Sequence, residues 1–584
     1  MDKRWNLDVL YTSFDSAELA SDLEAFISGI DEAMTLIDSI KVSNEDAPQK
    51  LLEFLRKSDD FADMVSNIYS YAALTYQVDT NNMKAAKLVE KIEGHLSKVS
   101  LIESKVIALL KDVDDLDGFI KKADGLEDYR YHLVSNKKAA SHLLSSEEEL
   151  LLAEMKTTGS QAWVKLQDSI VSTLTGEFEG VEQTLTVLRS KAYEADASVR
   201  KAAFEAELKA YEKKDKESAA CLNAIKGEVI TVAKKRGYTS PIAMTLETSR
   251  MDNETLDAMI SAIEEYLPSF RKYISKKAEL LGHKNGLPWY DLFAPVGDVE
   301  MRYEYDEARD FVIKQFTSFS DQLGDFATHA FDTDWIDPFP REGKVAGAFC
   351  ANLHGIKESR VMSNFTGSFN DMTTLAHELG HGYHGECLKN TLATNSDYPM
   401  PLAETASIFC ETIVFNAALK DATKEEAMVI LENELLGATQ VIVDIYSRYL
   451  FETELFEKRK SASLSVDELK EAMTNAQKKA YGDSLDPTTL HPYMWMCKPH
   501  YYYAERNFYN FPYAFGLLFA KGLYALYQKD AASFVPKYND LLLATGCNSI
   551  HDVLKIVDID SHQPDFFKES LAIIKTGIDK FCES

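Results

Sequence analysis

The chain has 584 residues, 45% of them hydrophobic and 27% charged. That balance excludes a disordered chain and is large enough for two to four packed units. A net charge of −30, from 63 basic and 93 acidic side chains, argues against nucleic acid, whose phosphates such a field repels.

The seven cysteines are odd in number, scattered and without a CxxC pair. They indicate neither a disulfide framework nor a cysteine-rich zinc site, and fit a reducing compartment. The opening MDKRWNLDVLYTSFDSAEL lacks an apolar core followed by a cleavage site. No run of ~18 apolar residues is apparent, so no membrane association is expected and the cytoplasm is the expected location.

Only 15 prolines and 26 glycines interrupt the chain, which favours long helices. The first ~190 residues read as successive amphipathic helices. Phe61, Val65, Ile68 and Ala72 share one helical face. A helix restarts near Asn253, read as its N-cap, with Leu256, Met259, Ile260, Ile263 and Leu267 on one side. Residues 237–243 and 287–297 read as loops between helices. Between 343 and 370, short apolar runs broken by Gly, Asn and Ser predict two or three strands in one small sheet. Helix resumes from 371 almost to the end. The fold class is mainly α with one minor sheet, and no internal repeat is visible.

The segment Thr374-Leu-Ala-His377-Glu378-Leu-Gly-His381-Gly-Tyr-His384 places HExxH in a helical pattern. Residues one turn apart project from one face, so both imidazoles can share a tetrahedral ion. Glu378 can then act as general base toward a water on that ion. Glu404 opens a second helical stretch, LAETASIFCETIVF, that can lie beside the first. Two His and one Glu with an open fourth position form a catalytic rather than a structural zinc set. Glu411, two turns beyond Glu404, can support a ligand imidazole from behind. His384 is one turn too far for the same ion, which leaves a supporting or substrate-contacting role. The metzincin pattern is excluded because Cys387 stands where its third His belongs.

This motif, followed by ExxSxxxE at Glu404, Ser407 and Glu411, resembles the thimet-oligopeptidase family of zinc peptidases. The opening WNLDVLY, the segment GKVAGAFC and the late KPHYYYAERNFYNFPYAFG resemble its oligoendopeptidase F branch. The resemblance implies a two-lobed helical metallopeptidase with zinc, one per chain, at the floor of a deep central channel. Residues 1–190 would form the N-terminal helical lobe and 191–584 the catalytic domain. It implies an endopeptidase for short unfolded peptides, with Glu378 activating water. It also implies an oxyanion donor among His500, Tyr513 and Tyr509. The strand bearing Gly347 and Ala348 would pair with the substrate backbone. The loop bearing Gly367 would close over the bound peptide.

Overall fold

Small polar side chains set where several of the long helices begin. The computed structural model describes residues 3–583, apart from 298, 300 and the side chain at 97. Ser16 caps α1 (Ala17–Ser39), Pro48 lies in the first turn of α2 (Ala47–Val78), and Asn82 caps α3 (Met83–Lys111). In α2, Ile68 and Ala72 are buried and Phe61 and Val65 pack against the same core, as their spacing predicts. The cap of α4 (Asn253–Leu280) is Asp252, which accepts from the Thr255 amide at 2.8 Å; Asn253 is the first helical residue. Both side chains can cap, and the carboxylate has the added advantage of its charge at the positive helix end.

Most buried apolar residues from Tyr11 to Leu133 form one core, and most of those from Ile170 to Phe581 a second, larger one. The helix Ser146–Thr158, which lies between them in sequence, buries none of its residues.

Among the described residues there are two small sheets where one was expected. The additional one is a hairpin of β1 (Thr175–Phe178) and β2 (Val181–Thr184). Glu179 and Gly180, at φ 50° and 80°, form its turn, the two-residue geometry that matches strand twist. The second sheet falls in the expected region just before the HExxH helix. It orders β3 (Ile336–Asp337), β5 (Glu358–Met362) and β4 (Phe349–Leu353), with β5 in the centre. β4 runs antiparallel to β5 and is an edge strand. Leu353 and Met362 pack on Leu74 of α2, and Val345 donates to the carbonyl of Gln77 at 2.9 Å. The N-terminal helices thus brace the sheet from behind.

The later chain supplies α5 (Phe369–Leu388), α6 (Thr405–Asp421), α7 (Ile445–Arg459), α8 (Phe511–Lys529) and α9 (Asp565–Glu583). Residues Met400–Asp421 are long and apolar enough to cross a membrane by length and composition, contrary to the sequence reading. Burial explains their composition: α6 packs between α5 and α8 and has little of its surface in water.

Candidate metal centre and active site

The register of α5 is fixed by Ser368, which accepts from the Asp371 amide at 3.1 Å while Asp371 accepts in return from Ser368. Asp371 also accepts from the amide and hydroxyl of Thr366, at 2.8 and 2.9 Å. This ties the loop bearing Gly367 to the helix start. From that start His377 and His381 fall one turn apart, with ring centroids 4.9 Å apart and planes at 80°.

Three glycines, Gly380, Gly382 and Gly385, lie inside α5, although each lowers helix stability by about 1 kcal/mol relative to Ala. Each marks a close neighbour. A Cβ on Gly380 would meet the Ala406 carbonyl oxygen and Ser407 Cα at 2.6 Å. The backbones of α5 and α6 therefore touch there, which brings Glu404 over the two histidines. Glu404 sits at the break between a single turn, Met400–Ala403, and α6 rather than within a helix. From the other side, Gly516 of α8 lies so close that its Cβ would be 3.1 Å from the Cβ of Glu404.

Glu404 Oε2 lies 3.3 Å from His377 Nε2 and 3.5 Å from His381 Nε2. One donor atom from each of these three residues falls within 4.8 Å of the others. A tetrahedral zinc bonded at about 2.0–2.1 Å sets its ligand atoms about 3.3 Å apart, so the set fits such an ion. Behind it, His377 Nδ1 is 3.3 Å from Glu411 Oε2. The Ser407 hydroxyl donates to Glu404 Oε2 at 2.9 Å. Burial works against a charge on His377, but hydrogen bonds to Glu404 and Glu411 outweigh it and push the imidazole up to about 10. Burial would likewise raise Glu404, yet the bonds from both imidazoles hold it well below the usual carboxylate range. Donors that draw a proton this strongly suit a cation.

Glu378 is buried at 7% exposure and its carboxyl is raised by that burial, against the pull of the nearby His377 and His381. The backbone N–H of Cys350, on the edge strand β4, also pulls it down, so Glu378 and that strand share one wall of the site. Asn352 of β4 donates to the His381 carbonyl at 3.2 Å and packs directly on Gly385. Gly347, at φ 92°, is exposed just before β4, and Ala348 is its half-buried neighbour.

His384 departs from the expectation of substrate contact. Its ring is completely buried, stacks on Tyr398 at 3.9 Å, and bonds Thr545 Oγ1 at 2.8 Å. Burial pushes its pKa down to about 3. Two turns beyond His377 along α5, its ring lies in the core, where it joins the helix to Tyr398 and Thr545.

The late aromatic residues do converge. Tyr509 lies 5.5 Å from His500 and 5.4 Å from Tyr513, between ring centroids. Tyr513, in the first turn of α8, is half-buried and its phenol is raised by burial and by the neighbouring Tyr509. Burial, with Arg448 and Lys498 nearby, lowers His500 to about 4 and keeps it neutral. The loop carrying Tyr509 is anchored by a network the sequence did not reveal. Buried Lys226 bonds Glu452 Oε1 and Asn507 Oδ1, both at 2.9 Å, and Asn510 donates to Glu452 Oε2 at 3.0 Å. Between the two asparagines Phe508 is forced to φ 53°, a conformation rare for a bulky residue. A lysine within the apolar run CLNAIKGEVI was the available signal. For Asn352, the signal was the glycine-rich face of α5.

Residues 190–573 match the model of peptidase family M3, and residues 111–175 match that named oligopeptidase F. Oligopeptidase PepF of Bacillus subtilis is 24% identical over 570 residues, covering 95% of this chain and 84% of the relative. An oligoendopeptidase F homolog of Lactococcus lactis is 23% identical over 601 residues, covering 99% and 96%. Among solved structures, a putative peptidase from Chlamydophila abortus superposes with TM-score 0.84 at 20% identity, covering 99% of this chain and 98% of that one. Oligoendopeptidase-F from Enterococcus faecium gives 0.71 at 19% identity, covering 96% and 98%.

Proposed function

Because the chain belongs to peptidase family M3, and is a peptidase of its oligoendopeptidase F branch, we propose that it is a zinc endopeptidase for short unfolded peptides, with Glu378 as general base. The observation that carries this reading is the Glu404 carboxylate 3.3 and 3.5 Å from the imidazoles of His377 and His381. These three residues would hold one zinc ion per chain, and Glu411 would orient His377. When bound, zinc would polarise the peptide carbonyl and make a water acidic enough to lose a proton near pH 7.

Glu378 takes the proton from the attacking water and delivers it to the leaving amine. Its burial beside β4 keeps the carboxyl basic enough for both transfers. The tetrahedral oxyanion needs a donor on its other side, and Tyr513, Tyr509 or neutral His500 supplies it. The free edge of β4, with Gly347 and Ala348 ahead of it, receives the substrate backbone as an added strand. The Gly367 loop closes over it. The two lobes, 1–190 and 191–584, enclose the channel that admits extended peptides and excludes folded proteins. Seven free cysteines suit a reducing location such as the cytoplasm.

Digestion of a mixed peptide library with fragment mass analysis tests this, run beside Glu378→Gln. Internal cleavage of short peptides by the wild type alone supports it. Cleavage by both proteins, or by neither, overturns it.

A further inference from the structure

A cavity of about 740 Å³ is lined by Met400, Ala403 and Tyr509, and so reaches the edge of the aromatic cluster. Its walls come from the end of the β4–β5 hairpin, the last turn of α5, the 396–403 segment and the 505–509 loop. Most charges in these walls are already paired. Glu358 bonds Arg360 at 2.8 Å, Glu386 pairs with Lys389, and Glu505 pairs with Lys156 at 3.3 Å. His354 is held by Asp63 at 2.7 Å.

Two cations are not paired. Arg506 is exposed and sits 5.9 Å over the Tyr509 ring, with no carboxylate partner among the described residues. Lys357 Nζ donates only to the neutral amide oxygen of Asn390, at 2.8 Å. In a protein of net charge −30, an acid near any exposed cation is the ordinary expectation. Two cations without an ion-pair partner among the described residues, in the walls of a cavity that Tyr509 also lines, are placed to receive an acid from outside. The Arg506 guanidinium also offers its paired N–H donors in the geometry a carboxylate accepts.

We propose that Arg506 and Lys357 bind a carboxylate of the peptide substrate in this cavity, either its terminal one or an acidic side chain. The proposal rests on the peptidase reading and adds a substrate class to it. Arg506 acts as a specificity determinant, set one aromatic ring away from the candidate oxyanion donors.

The test measures affinity rather than turnover, so that it reads the cavity independently of catalysis. Fluorescent peptides with a free or amidated C-terminus, and with Glu or Gln at internal positions, are titrated into Glu378→Gln protein at low salt. A carboxylate is expected to tighten binding on the order of 3- to 10-fold, and rising salt should erode the gain. Adding Arg506→Gln and Lys357→Gln should bring the ratio close to one, whereas Arg506→Lys should retain only the part that charge alone supplies. Loss on amidation points to the terminal carboxylate, and loss on Glu-to-Gln exchange to an acidic side chain. Equal binding of charged and neutral peptides, or a ratio unchanged in the Gln variants, overturns the proposal. Failure of the peptidase reading shows separately, as absence of cleavage by the wild type.

Discussion

His377, His381 and Glu404 are placed by two helices whose backbones touch at Gly380. Tyr509 and Tyr513 are placed by a loop and a helix start tied down through the buried Lys226–Glu452 pair. The first region is held by close packing, where one added methyl group moves the helices. The second is held by charge in a dry interior, where one lost partner leaves an uncompensated ion. A site built from both can therefore be damaged in two separable ways: loss of the metal with the loop intact, or loss of the loop with the metal retained.

The largest expected effect comes from the chemistry between the two regions. Glu378→Gln should lower kcat by ~10²–10⁴ while metal content, measured by elemental analysis, stays near wild type. A matching fall in metal content would move Glu378 into the ligand set. Next, Tyr513→Phe should lower kcat by ~10²–10³ with KM nearly unchanged, because the donor acts mainly in the transition state. Tyr509→Phe run in parallel identifies which hydroxyl is used. If both retain turnover, His500 carries the role alone.

Lys226→Met separates the regions most clearly. It strands Glu452 in the interior and should cost about 3–5 kcal/mol of stability in denaturant melts. Turnover should fall with the loop while metal content holds. Gly380→Ala should do the reverse, weakening metal retention as the α5–α6 contact opens. A smaller effect is expected for Glu411→Gln, about 10- to 100-fold in metal affinity, since it leaves the ligands in place but loosens His377. The smallest concerns His500. Its folded pKa is depressed to about 4, below the ordinary value, so its contribution to stability is complete above pH ~6.5 and is lost as the pH falls toward 4. Its ring resonances should show no titration between pH 5 and 8.

The same contrast explains what the sequence revealed. A turn-spaced pair of histidines is local geometry, so α5 could be read directly, and Glu404 followed from a helical stretch able to return to it. The helical character of the chain followed from few breakers and repeated apolar faces such as that of Phe61, Val65, Ile68 and Ala72. The Lys226 network joins side chains far apart in sequence, and no local pattern encodes it. His384 shows where spacing leaves a role open. Position i+7 keeps the face to within about 20° but lies two turns along the helix from His377, where its ring meets Tyr398 and the core. The hairpin at 175–184 leaves little trace in the sequence because its strands are four residues long and mostly polar. Its Glu-Gly turn is also a weaker signal than Asn-Gly. Asp252 and Asn253 are both good caps, and choosing between neighbours needs the hydrogen bond itself.

The central claim is that the His377, His381 and Glu404 set holds the one metal ion on which peptide cleavage depends. It is tested most directly by stripping the protein with a chelator and titrating zinc back while following hydrolysis of a short peptide. The expected result is no activity in the stripped protein, recovery that saturates at one equivalent, and no recovery for Glu404→Ala at the same zinc concentration. Full cleavage by protein shown to be free of metal would contradict it.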